Sequence, residues 1–239
     1  MDPSRDEHFT ATHWSVVMRA AGDESDAGDA LSLLCQRYWY PLYAYVRRRG
    51  NSPDDAQDLT QSFFARLLEK RLLEKVDPAK GKFRTFLLTS MKRFLTDEWN
   101  KANAQKRGGN AKVFSIDEDS AEERYANEPA HELTPDQLYE HRWAMTILDQ
   151  AMAELEAEHV RAGKAELFER LNCSLLGAKD SSYAEVGDAL RLSEGAVKVA
   201  AHSMRKKFRA LLRDEISRTV GAEADIDAEL KELLAVLRG

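Results

Sequence analysis

The chain has 239 residues, enough for one large domain or two small ones, with 43% hydrophobic and 32% charged residues. No run approaches 18 apolar residues, which excludes a membrane span, and the acidic stretch opening the chain is unlike a signal peptide. The formal net charge of −6 looks wrong for a nucleic-acid binder until the positions of the charges are considered. Between Lys80 and Arg107, Lys82, Arg84, Lys92, Arg93 and Lys101 meet only Asp97 and Glu98 in opposition. From Asp117 to Glu140 acids dominate against a lone Arg124, and from Ser193 to Arg218 the balance turns basic again. Phosphate attraction is local and screened beyond about 10 Å, so two basic blocks around an acidic one suit a two-point contact to DNA. Cys35 and Cys173 sit far apart inside apolar helical patterns and read as reduced core thiols of a cytoplasmic protein. The histidines lack ligand spacing; no metal or cofactor is expected.

Nearly every periodic segment has helical spacing, with no alternating strand pattern and no internal repeat, so the expected class is all-α. A first helix spans about Ala30 to Arg49, using Leu31, Leu34, Cys35, Tyr38, Leu42 and Val46; Pro41 should kink or split it. The second begins with Ser52 as N-cap, Pro53 in the first position, and Asp54 and Asp55 at the positive end of the dipole. Its apolar stripe is Ala56, Leu59, Phe63 and Leu67, leaving Asp55, Asp58, Ser62, Arg66 and Glu69 on an acid-rich polar side. A third helix, about Lys82 to Ala104, buries Phe83, Phe86, Leu87, Met91, Phe94 and Leu95. Trp99 falls on its basic, polar side, either packing on the preceding helix or offering an exposed ring on which an unstacked base can lie.

Gly108-Gly109 opens an acidic linker running to about Glu132, expected to be extended and mobile. Thr134-Pro135-Asp136 starts a further helix to about Ala162, using Leu138, Met145, Leu148, Met152 and Leu155; a short helix follows around Ala165 to Leu171. Ser181 or Ser182 then caps a helix ending at Leu190. After the tight connection Arg191-Leu192-Ser193, a second helix runs from Glu194 to about Arg213. Val197, Ala201, Met204, Phe208 and Leu211-Leu212 form its inner side. Two helices joined by so short a turn, the second ending in a basic run, form a helix-turn-helix. The first turns of such a second helix enter the major groove. Glu194, Gly195, Lys198, Val199 and His202 are therefore base-edge candidates, and Arg205, Lys206 and Arg209 phosphate candidates. After Arg218, Ile226, Leu230, Leu233, Leu234 and Leu237 form an apolar helical stripe, expected to fold back on the second domain or to cover DNA-binding surface.

The segment Ser181 to Leu190, followed by Leu192 to Lys198, resembles the promoter-reading fourth region of extracytoplasmic-function (ECF) sigma factors. Pro53 to Phe64 is similar to their clamp-binding helix, and Phe83-Arg84-Thr85-Phe86-Leu87 leading to Asp97 to their segment that melts DNA and reads the minus-ten element. The resemblance covers about Ala30 to Arg218. It implies a non-catalytic factor that binds core RNA polymerase and promoter DNA, with an anti-sigma factor and a regulatory kinase as further partners to consider. Asp55, Asp58, Ser62 and Arg66 would dock on the polymerase clamp. Lys82, Arg84, Lys92, Arg93, Trp99, Asn100 and Lys101 would hold the melted minus-ten strand. Glu194, Gly195, Lys198, Val199, His202, Arg205, Lys206 and Arg209 would read the minus-thirty-five element.

The implied organisation is a region 2-like domain over 1–107, an acidic linker over 108–133, a region 4-like domain over 134–218 and a helical extension over 219–239. Gln57 stands where the family usually has glutamate, Arg93 where many members carry asparagine, Ala200 at a position often basic, and Thr60 where valine is common. A phosphate on Thr60 would add roughly −1.5 to −2 charge beside the clamp face and replace the acid missing at Gln57. The rival function, a helix-turn-helix regulator acting without core polymerase, leaves the Asp55/Asp58 face and the Lys82 block without purpose. No paired-carboxylate, nucleophile or glycine-rich phosphate signature supports an enzyme.

Overall fold

A computed structural model describes residues 24–69, 72–75, 82–104, 118–126, 133–175, 182–217, 219–220 and 225–238. Every regular element among them is helical, as expected of an all-α chain. In order they are α1 (Glu24–Arg48), α2 (Pro53–Glu69), a 3-10 turn (Leu72–Lys75), α3 (Phe83–Ala104), α4 (Glu118–Ala126), α5 (Pro135–Arg161), α6 (Ala165–Leu171), a 3-10 turn (Asn172–Leu175), α7 (Tyr183–Leu190), α8 (Glu194–Ser217) and α9 (Ile226–Arg238). The loop at Asp77-Pro78 and Gly81, Gly108-Gly109, Pro129, and the basic residues Lys80, Lys106 and Arg107 lie outside the described residues. No described helix is long and apolar enough to cross a membrane.

The chain divides into two compact units, Met1–Met145 with Ser217–Gly239, and Thr146–Ile216. The core of the first is built from aromatic residues. Tyr38, Leu42, Tyr45 and Val46 of α1, Phe63 and Leu67 of α2, and Phe83, Leu87 and Met91 of α3 are all nearly inaccessible. Phe83 meets Tyr38 edge-on at 5.4 Å, and Phe63 lies 5.8 Å from Phe94, geometries that add to simple burial. Pro41 does not split α1, which continues from Glu24 to Arg48. Proline removes one backbone donor, but Trp39, Tyr40, Leu42 and Tyr43 on either side are buried and hold both halves against the core.

Two expectations about the outer segments are corrected. The acidic linker contains α4, and α4 is docked: Ala121 is buried, and Glu122 accepts hydrogen bonds from Tyr43 Oη at 2.6 Å and from Arg47 Nε and Nη2 at 3.0 and 2.7 Å. Arg47 also lies 4.8 Å from the Tyr125 ring centre. These bonds from Arg47 hold the Glu122 carboxyl below the usual carboxylate range against the upward push of burial. The C-terminal stripe, for which the second domain was one expected resting place, belongs to the first unit instead. Ile226, Glu229 and Leu233 of α9 are buried there, together with Thr219 and Val220 before it.

The buried side of α5 also differs from the periodic reading. Leu138, Tyr139, Trp143, Ile147 and Leu155 are buried, whereas Met145, Leu148 and Met152 are only half-buried. Burial of the aromatic pair Tyr139 and Trp143, four residues apart, turns the stripe. Neither Cys35 nor Cys173 is in a disulfide. Cys35 is half-buried and burial pushes its pKa up to about 11, whereas Cys173 is exposed on the second 3-10 turn and is no core residue.

Candidate polymerase and nucleic-acid interfaces

Helix α2 starts as its sequence dictates. Ser52 Oγ accepts from the Asp55 backbone N–H at 3.1 Å and donates to Asp55 Oδ2 at 2.7 Å, fixing that carboxylate at the first turn. Asp55, Asp58 and Ser62 are all exposed. Arg66 behaves differently. It reaches across to α3, contacting Asp97 at 2.6 Å and Glu98 at 3.8 Å, and lies 5.5 Å from the Phe94 ring centre. Its guanidinium therefore ties two helices together as well as lining the polar face.

Trp99 is 68% exposed, so its ring is not buried against the preceding helix. It lines a groove with Asp55, Asp58 and Leu59 of α2, Leu95, Glu98 and Ala102 of α3, and Arg49 and Asn51 between α1 and α2. Residues expected to serve two different partners thus share one concavity. Asp55 and Asp58 were assigned to polymerase, Trp99 to the minus-ten strand.

The remaining minus-ten candidates divide by environment. Arg93, Asn100 and Lys101 are exposed, with Lys101 paired to Glu98 at 2.6 Å on its own helix. Lys92 is paired with Asp136 of α5 at 2.6 Å, and Lys82 with Glu229 and Glu232 of α9, each at 2.5 Å. Arg84 is 5% exposed. It contacts Glu140, Glu229 Oε1 at 2.9 Å and Glu232 at 2.6 Å, and its guanidinium carbon lies 4.2 Å from the Trp143 ring centre. Its backbone carbonyl accepts from Tyr139 Oη at 3.0 Å. Arg84 is therefore the buried junction of α3, α5 and α9, and in this conformation a phosphate cannot reach it. Sequence patterning missed Tyr139, Trp143 and Glu229, whose only forewarning was the aromatic spacing on α5 and the acids on the terminal stripe.

Thr60 is fully buried, and its Oγ1 donates to the Ala56 carbonyl at 2.7 Å within its own helix. A kinase has no access to that hydroxyl while α2 is folded. Thr60→Val should leave stability within about 1 kcal/mol of the parent, because the hydroxyl bonds only its own backbone. Thr60→Asp buries an unpaired carboxylate and should cost about 3 kcal/mol or more. Thermal melting of both variants checks this; an aspartate variant as stable as the parent would revive a phosphate at this position.

In the second unit, α7 is capped by a complete box. Ser182 Oγ accepts from Glu185 N–H, and the Glu185 carboxylate accepts from Ser182 N–H at 2.7 Å. That bond and the Ser182 hydroxyl hold the Glu185 pKa below its usual value. Arg191 takes the left-handed conformation, φ 54°, ψ 41°, which ends α7 abruptly, and the Leu192 N–H donates back to the Gly187 carbonyl at 2.8 Å. Gly187 is obligatory: a Cβ there would lie 2.7 Å from the Leu192 carbonyl oxygen. Ser193 Oγ accepts from the Ala196 N–H at 3.2 Å and starts α8.

Along α8, Val197, Ala201, Met204, Phe208 and Leu212 are buried, with Leu211 half-buried. Glu194, Gly195, Lys198, Val199, His202, Lys206 and Arg209 are exposed, Val199 by 70%. Lys198 pairs with Glu194 at 2.7 Å one turn back. Arg205 is half-buried and donates to Tyr183 Oη, so α7 helps orient this phosphate candidate.

Comparison with known families matches residues 34–105, which hold most of α1 and all of α2 and α3, to sigma-70 region 2. No curated protein and no solved structure matches the chain. The matched segment carries both the exposed Asp55/Asp58 face and the basic residues of α3. Over this segment the chain is similar to sigma-70 region 2.

Proposed function

We propose that the protein is an alternative sigma factor of the ECF type, which binds core RNA polymerase in the cytoplasm and directs promoter recognition, DNA melting and initiation. The observation that carries this is the region 2 match, coupled in one chain to the capped helix–turn–helix of α7 and α8. The protein performs no chemistry of its own; polymerase makes the bonds. The exposed first turns of α8 read the minus-thirty-five element through Lys198, Val199 and His202, with Lys206 and Arg209 on phosphates.

The groove around Trp99 forms the polymerase-docking site. Asp55, Asp58 and Glu98 outnumber Arg49 in its lining, so a basic helix would find better matching charge there than a phosphate backbone, and an aromatic anchor. Trp99 therefore serves docking rather than base stacking. Melted minus-ten DNA is left to the other side chains of α3, among them the exposed Arg93 and Asn100.

The test is in vitro transcription by core polymerase on genomic fragments with and without the protein, alongside direct core binding. Promoter-specific transcripts should appear only with the protein. Trp99→Ala and Asp58→Lys should each weaken core binding about 30-fold, as expected for a central aromatic anchor and a reversed charge. Duplex binding with no core binding would instead favour a regulator that works without polymerase.

A further inference from the structure

Lys82, Arg84 and Lys92, three of the basic side chains of the region 2 segment, are engaged by carboxylates of the same chain: Glu229 and Glu232 of α9, and Asp136 and Glu140 of α5. Four acids against three bases leave this strip without surplus positive charge to attract a phosphate. The attachment of α9 has two parts. Its apolar side is seated through Ile226 and Leu233, while its acidic side lies over Lys82 and Arg84. The Arg84–Glu229 pair is sealed, with side chains 6% and 0% exposed. Lys82–Glu232 and Lys92–Asp136 form an accessible rim, with side chains 28% and 54%, and 42% and 54%, exposed. Burial raises the Glu232 pKa, but hydrogen bonds and charge from Lys82 and Arg84 outweigh it and hold the carboxylate ionised.

We infer that α9 is a built-in occupant of an anion-binding strip on α3. Its carboxylates stand where a nucleic-acid backbone would bind, and α9 leaves when that backbone arrives. The identity of the displacing polyanion, single-stranded promoter DNA, rests on the sigma reading; the occupancy itself rests on the ion pairs. Displacement starts at the rim, where a phosphate can exchange with Glu232 on Lys82 and with Asp136 on Lys92. Opening the rim then exposes Arg84. Because each exchange swaps one anion for another, the release is sensitive to ionic strength.

The experiment uses the full chain, with Glu232→Gln and Asp136→Asn. Neither residue is buried, and Glu229 remains in place for Arg84, so both variants should melt like the parent. Binding of a fluorescent single-stranded oligodeoxynucleotide is followed by anisotropy over a salt series. Each variant should bind roughly fivefold more tightly than the parent. Hydrogen exchange should show residues 226–238 losing protection when the oligonucleotide is added. Unchanged affinities, or α9 amides protected equally with and without oligonucleotide, would overturn the inference and make α9 a permanent strut. Transcription with core polymerase judges the sigma reading separately. Release of α9 in a chain that directs no transcription would defeat that reading and leave this one standing.

Discussion

Exchanging Arg84 for methionine should cost the first unit about 3–5 kcal/mol, the usual penalty for removing one partner of a buried ion pair. Glu229 is fully buried, and without the guanidinium it would keep Lys82, at 2.5 Å, as its cationic partner among the described ion pairs. Glu140 loses its contact as well, and the Trp143 ring loses the cation 4.2 Å from its centre. Urea unfolding of the full chain measures the effect. A second variant separates charge from packing: Arg84→Met combined with Glu229→Leu should recover most of the loss, because an apolar pair of similar volume replaces a buried ionic one at little cost. An Arg84→Met protein with the parent midpoint would mean that Arg84 serves DNA contact alone.

A methyl group at position 187 should be the most damaging small change in the second unit. The added carbon of Gly187→Ala would lie 2.7 Å from the Leu192 carbonyl oxygen, a backbone atom that cannot swing aside. The turn would have to open, stretching the 2.8 Å bond from Leu192 N–H to the Gly187 carbonyl and shifting the start of α8. Overpacking of this kind costs about 1–3 kcal/mol. The larger consequence is for recognition: Lys198, Val199 and His202 follow the turn directly, and a tilt at Glu194 moves all of them. Thermal unfolding should register the modest loss, and duplex binding to a minus-thirty-five element a loss of more than about tenfold. Binding at parental strength would remove the turn from the recognition apparatus.

The features legible in the sequence are those governed by neighbours along the chain. Ser52-Pro53 and Ser182 with Glu185 announce helix starts through local hydrogen bonding, and the apolar spacing of α2, α3 and α8 marks their buried sides without reference to any other element. Contacts between distant segments left far weaker traces. Glu122 is one acid among many until it meets Arg47 and Tyr43. Nothing local marks Arg84 as buried, since its partners lie about α5 and α9. The continuity of α1 through Pro41 likewise depends on a shell of aromatic residues supplied by tertiary packing. Trp99 was conspicuous from its place on a polar side, but only the groove shared with Asp55 and Asp58 relates it to the acidic face of α2.

The first compact unit includes Ser217–Gly239, which follow the second unit in sequence, whereas the second is one uninterrupted stretch, Thr146–Ile216. During synthesis the usual order of maturation, N-terminal part first, is therefore inverted. The later-encoded unit has all its residues before the earlier one does, and the nascent region 2 waits on the ribosome with Glu229 and Glu232 still untranslated. A chain released before α9 would lack the two carboxylates that face Lys82 and Arg84, so translation of that helix decides when those cations are matched.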